Sequence, residues 1–144
     1  MISLRHIEIA GFRGIKEPLS IPLNANQSLL IYGDNGSGKS SIADAVEWFF
    51  YDKVEHLSRE EIGRKGLEAL RNKFLPDDDD ATVAFNFSEA TLNATKVLSI
   101  KNSKLAASIS KTDEAFSCYI SDSQKENLLL RYRDLVYCLI NSWW

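Results

Sequence analysis

Gly33-Asp34-Asn35-Gly36-Ser37-Gly38-Lys39-Ser40 fits the phosphate-loop pattern G-x-x-x-x-G-K-[ST]. It stands between an apolar run, Leu29-Leu30-Ile31-Tyr32, and an amphipathic stretch from Lys39 to about Tyr51. Glycine turns sharply without a Cβ clash, so such a loop points successive backbone N–H groups at an anion. Lys39 then supplies a point charge to the β- and γ-phosphates and the Ser40 hydroxyl a ligand for Mg²⁺. The following helix aims its positive end at the same place. The stretch therefore predicts a nucleoside triphosphate site. Its bland alternative is a glycine-rich turn with no ligand, which explains neither the lysine nor the strand-loop-helix setting.

Outward from the loop, Ser28–Tyr32 reads as a strand buried on both faces. Lys39 to about Tyr51 reads as a helix whose Ile42, Val46, Phe49 and Phe50 fall at i, i+4, i+7 and i+8, with Asp44 and Glu47 on the polar side. Upstream, Leu4–Ala10 alternates around Ile7 and Ile9 as a strand closed by Gly11, and Pro22 confines Ile21-Pro22-Leu23 to an edge or strand start. Ser58-Arg-Glu-Glu61 has the form of a capping box and predicts a second helix reaching about Asn72, against the local opposition of Gly63 and Gly66.

Downstream, short strands are expected around Val83–Phe87, Val97–Ile100, Leu105–Ile109 and Phe116–Ile120, together an antiparallel meander. Leu128, Tyr132, Leu135, Val136 and Leu139 then predict an amphipathic helix over about 123–140. Trp143-Trp144 presents two large aromatic surfaces that need covering. Asp77–Asp80 offers four consecutive carboxylates, either a cation cluster or, since like charges repel, a solvated turn.

Composition bounds the function. The 144 residues are 44% hydrophobic and 26% charged, enough for one core. A formal charge of −3 gives no chain-wide footprint for nucleic acid. No stretch approaches the roughly 18 apolar residues of a membrane span, and the N-terminus lacks a signal-peptide pattern, so a cytoplasmic protein is expected. Cys118 and Cys138 have neither metal nor redox spacing, and His6 and His56 stand alone, which favours structural or surface roles. Hydrolysis needs a carboxylate for the metal's water shell, and after residue 50 no four apolar residues precede an Asp. The sequence also lacks an Asn-Lys-x-Asp base-recognition segment.

Three linked stretches resemble the SMC-like, RecF/RecN-type ATPases of the ABC superfamily. They are the opening strand into Gly11-Phe12-Arg13-Gly14-Ile15, the G-x-N-G-S-G-K-S form of the loop, and Ser41-Ile-Ala-Asp-Ala-Val-Glu-Trp48 after it. The resemblance covers about residues 2–51 well. It implies an α/β P-loop fold of ABC/SMC head type, an N-terminal lobe in which 1–75 form the P-loop unit, 76–121 the meander and 122–144 a helix leading toward a coiled coil. It implies ATP and Mg²⁺ as ligands and nucleotide contacts from Gly33, Asp34, Asn35, Gly36, Ser37, Gly38, Lys39, Ser40 and Ser41. By the same resemblance Arg13 either approaches the phosphates or fixes its turn, and Gln124 is either the Mg²⁺-sensing glutamine beside Ser40 or part of a helix N-cap. The implied partners are a C-terminal lobe, a second head, DNA through the full assembly, and a nuclease. The implied work is DNA repair, chromosome maintenance or anti-phage defence, with no hydrolysis by the lobe alone. Two other readings stay open: a self-contained phosphotransferase using one of Asp77–Asp80 or Asp134, and a truncated, non-catalytic subunit.

Overall fold

A computed structural model describes residues 3–24, 29–51, 53–57, 66–90, 93–101 and 104–111. Five antiparallel strands, β1 (Leu4–Ala10), β2 (Leu19–Pro22), β3 (Ala81–Phe87), β4 (Ala94–Lys101) and β5 (Lys104–Lys111), form one sheet in the order β2-β1-β3-β4-β5. Pro22 sits on the edge strand β2, where its missing N–H costs no ladder bond. The alternation read in the sequence sets the register: Ile7 pairs with Ile21 on one side and Phe85 on the other, and Ile9 with Leu19 and Val83. These rows make one face apolar, while His6, Glu8, Thr82, Asn86 and Thr95 take the opposite phase.

The helix α1 (Lys39–Tyr51) begins and ends where the sequence places it and covers the apolar face. Its phase differs from the expected one. The fully inward positions are Ser41, Asp44, Ala45, Trp48 and Phe49, spaced i, i+3, i+4, i+7 and i+8, whereas Ile42, Val46 and Phe50 flank that stripe half-buried. The largest rings decide the rotation. Trp48 stacks on Phe12 at 5.5 Å between centroids and Phe49 on Phe85 at 4.2 Å, and Phe50 meets Phe85 edge-on. Truncating such a buried ring to alanine typically costs about 3–5 kcal/mol, more than a half-buried Ile42 or Val46 contributes. Asp44 is carried inward with them.

Two further expectations are corrected. Of the strand anticipated over Ser28–Tyr32, the described residues Leu29–Tyr32 pair with no strand, and Leu30 and Tyr32 are 64% and 87% exposed. A strand exists through its ladder, and no described strand lies beside this one. The helix anticipated over 58–72 is, in its described part, a 3-10 turn at Gly66–Ala69 followed by a bridge between Arg71 and Phe12. There the backbone bonds outward instead of along a helix: Arg13 N–H donates to the Leu70 carbonyl at 2.7 Å and Asn72 N–H to that of Gly11 at 2.8 Å. The strand expected at Phe116–Ile120, the helix over 123–140, Cys118, Cys138, Gln124, Asp134 and the terminal tryptophans lie outside the described residues. No helix among the described residues is long and apolar enough to cross a membrane.

Candidate nucleotide site

The phosphate loop runs exposed from Gly33 to Ser37 and turns into α1 at Gly38 and Lys39. Gly36 and Gly38 have φ of +86° and +91°, conformations closed to most side chains. Ser37 N–H bonds the Asp34 carbonyl at 3.2 Å, closing the tip, and Ile42 N–H bonds the Gly38 carbonyl at 3.3 Å as the first helical turn begins. The amides of Gly36, Gly38, Lys39 and Ser40 donate to no group among the described residues. Unsatisfied N–H groups at a helix N-terminus are the donor set an anion takes.

Lys39 closes the loop on itself. Its Nζ donates to the carbonyls of Gly33 and Asp34, both at 2.6 Å, and lies 3.4 Å from Ser37 Oγ. All three ammonium hydrogens are engaged with the loop, which pulls its two ends together and holds the charge over the cradle. The cation is thus fixed at the loop in advance of any ligand. Ser40 is exposed at the first turn of α1, as a metal-ligating hydroxyl requires, while Ser41 is buried.

Ser41 braces the loop: its Oγ accepts the Gly14 N–H at 3.0 Å. A Cβ on Gly14 would stand 3.0 Å from that oxygen and 3.7 Å from Gly38 Cα, and one on Gly38 would stand 3.5 Å from Ile15 Cγ1. The opening turn, Gly11–Lys16, therefore packs directly against the phosphate loop. The turn is closed by Gly11 N–H to the Lys16 carbonyl at 3.0 Å and by reciprocal bonds between Phe12 and Ile15, with Phe12 buried in the core. Two segments separated in the sequence meet here.

Arg13 holds a left-handed φ of +47°, uncommon for a residue with a side chain. It is fixed from both sides, since its carbonyl also accepts Asn72 Nδ2 at 2.5 Å. Its guanidinium lies 2.5 Å from Asp44 Oδ2 and bonds His56 Nε2 at 3.2 Å. Burial pushes the Asp44 carboxyl above its ordinary value; Arg13 and His56 pull it back down in part, and Glu47 pushes it up further. Asp44, Glu47 and His56 bring donor atoms within 4.8 Å of one another, a metal-like spacing, yet the cation among them is the guanidinium of Arg13.

Sequence reasoning placed Asp44 on the polar face and left His56 alone, so it missed this cluster. The available signal was the spacing Ser41, Asp44, Ala45, Trp48, which puts Asp44 on the tryptophan's face. His56 carried none, because a 3-10 turn at Glu55–Leu57 brings it back to α1. Asp77–Asp80 lies in an exposed turn and joins no metal-like cluster among the described residues. The buried Arg71 guanidinium holds that turn through the carbonyls of Leu75, Pro76 and Asp79.

A family model described as an AAA domain matches residues 6–133. The chain is 40% identical over 74 residues to the chromosome partition protein Smc of Coxiella burnetii, a match covering 51% of this chain and 5% of that protein. The Smc protein of Lactiplantibacillus plantarum is 26% identical over 147 residues, covering 98% of this chain and 11% of its own length. The DNA replication and repair protein RecF of Shewanella baltica is 36% identical over 92 residues, covering 64% of this chain and 21% of RecF. The chain thus spans between one-twentieth and about one-fifth of these relatives. With its phosphate loop docked on the opening turn, and with Smc and RecF among its relatives, the chain belongs to the AAA domain family, on the SMC-like and RecF-like side of the ABC-superfamily ATPases.

Proposed function

We propose that this chain binds Mg-ATP in the Gly33–Ser41 loop as the nucleotide-binding part of an SMC-like ATPase of chromosome maintenance or DNA repair. The observation that carries the reading is the donor set at Gly36, Gly38, Lys39 and Ser40, without acceptors among the described residues and capped by a lysine already folded over the loop. The amides receive the phosphate oxygens, Lys39 exchanges its two carbonyl partners for the β- and γ-phosphates, and α1 supports the negative charge with its dipole. Ser40 would hold the Mg²⁺, which would offset phosphate charge there. Arg13, at the edge of the same cradle, adds a second cation.

In this reading the nucleotide acts as a switchable link between two heads, and hydrolysis is completed by residues of a C-terminal lobe and of the facing head. DNA contact belongs to that assembly, in repair, chromosome maintenance or defence against invading DNA. The relatives named for partition and for replication and repair support the setting.

Calorimetric titration of Mg-ATP into the chain, with Lys39→Ala as control, tests the reading. Removing a charge-assisted partner worth about 1.5–3 kcal/mol weakens binding by roughly 10- to 150-fold. Equal affinity of the two proteins would sink the proposal. Steady turnover by the isolated chain would overturn the shared-site part of it.

A further inference from the structure

We propose that Asp44 is a positioning residue that parks Arg13, and that a bound triphosphate draws Arg13 away and hands the Asp44 carboxylate to His56, which takes up a proton. The inference rests on the reading that the loop binds a triphosphate and that Arg13 reaches it.

Three observations carry it. First, Asp44 is only 4% exposed, so its carboxylate cannot turn to water when it loses a partner. Its Oδ2 has the ion pair with Arg13 but no directed hydrogen bond, so charge more than geometry holds the guanidinium.

Second, a guanidinium has donors only. The 3.2 Å contact therefore makes His56 Nε2 an acceptor, and the ring, neutral in this state, carries its hydrogen on Nδ1. That nitrogen lies 3.7 Å from Asp44 Oδ1. While Arg13 is parked, the Nε2 lone pair is taken; once Arg13 leaves, Nε2 accepts a proton from water and the imidazolium stands beside the carboxylate already. The His56 side chain is 53% exposed, which gives that proton its route. The imidazolium then replaces the guanidinium as the cation beside the Asp44 carboxylate.

Third, Arg13 is one residue from Gly14, whose N–H donates to Ser41 Oγ and whose Cα faces Gly38, so the turn that carries Arg13 is packed on the phosphate loop. Triphosphate oxygens, several charges in one place with geometry suited to a guanidinium, outcompete one carboxylate. Among the described residues, the groups that face Asp44 are Arg13 from the opening turn, His56 from the 3-10 turn and Glu47 from α1 itself. Glu47 adds negative charge, which favours a replacement cation.

The test is Mg-ATP titration of the full chain near pH 7.5 in buffers of widely different ionisation heat. The slope of binding heat against buffer heat counts protons taken up. We expect a net proton uptake in the wild type that is lost in His56→Gln, with phosphate protonation common to both. Uptake that is absent, or equal in the two proteins, would overturn the handover. Arg13→Ala separates the layers. Binding weakened about tenfold or more by loss of the cation, together with no proton difference, removes only the handover. Unchanged binding in Arg13→Ala removes Arg13 from the phosphates, and the handover with it. A wild type that binds no Mg-ATP removes the parent reading and this one together.

Discussion

Replacing Gly11 by alanine tests whether the opening turn is as tightly specified as its contacts indicate. Gly11 has a φ of +63°, and a side chain in the left-handed region costs about 1–2 kcal/mol. The added Cβ would stand 2.5 Å from Leu75 Cδ2 and 3.2 Å from Ala81 Cα. The leucine tip can swing away, but Ala81 is backbone at the start of β3 and is paired with β4. Overpacking of this kind costs a further 1–3 kcal/mol or so, giving about 2–5 kcal/mol in all. With a urea slope of about 2 kcal/mol per molar, the unfolding midpoint falls by roughly 1–2.5 M at unchanged slope. Gly36→Ala is the matched control. Its φ is +86°, yet nothing lies within 4 Å of the added Cβ, so it carries the strain of about 1–2 kcal/mol without the clash. Fluorescence of Trp48, stacked under Phe12 beside the turn, follows both transitions. Equal midpoints for Gly11→Ala and Gly36→Ala would refute the reasoning.

Other substitutions probe the remaining supports. Arg71→Met leaves the carbonyls of Leu75, Pro76 and Asp79 without their buried donor; it should lower stability by about 2–4 kcal/mol and speed protease cleavage within 75–80. Asp79→Ala, which spares the Asp79 carbonyl, should leave both stability and nucleotide affinity within about 0.5 kcal/mol of wild type. Lys96→Met removes the Nζ donor to the Trp48 carbonyl at 2.9 Å and the cation over the Trp48 ring; urea midpoints should report a loss of about 1–2 kcal/mol. Asp44→Asn tests linkage. Because the folded carboxyl sits above the ordinary value of 3.8, it keeps a proton that the unfolded chain has released, so its contribution falls as pH rises from below that value through the raised one. The stability of Asp44→Asn relative to wild type should therefore increase with pH across that window in paired urea titrations, and a decrease would reverse the sign assigned to burial.

The elements legible in the sequence are those whose pattern is local. The bounds of α1 follow from the loop before it and the apolar spacing within it, and β1 and β3 from strict alternation around Ile7, Ile9, Val83 and Phe85. The phase of α1 was not legible, because it depends on Phe12 and Phe85, partners distant in the chain. Lys96 shows the same limit. It lies in phase with Ala94 and Leu98 on the apolar face of β4, only 6% exposed, and is tolerated there because it bonds the carbonyl of Trp48 near the end of α1. In the candidate site, the positive-φ glycines and the helix start at Lys39 were readable because they belong to one short stretch of sequence. Asp44 and His56 were not, since their roles appear only when the opening turn and a 3-10 turn converge on one helix face.

The way α1 is anchored decides where motion falls when a ligand arrives. Near its start, Ser41 and Asp44 are tied to the opening turn, and near its finish Trp48 is tied to Lys96 on β4. The loop ahead of it is exposed and braced chiefly by its own lysine. The helix is then a fixed frame of reference, with its axis and dipole direction set before any phosphate is present. If the loop captures a triphosphate as proposed, the ordering it requires among the described residues would fall mainly on the exposed loop, which keeps its entropic cost local. On the proposed function, a change in the ligand's terminal charge would be felt first by the loop, ahead of a helix already tied to the turn and the sheet.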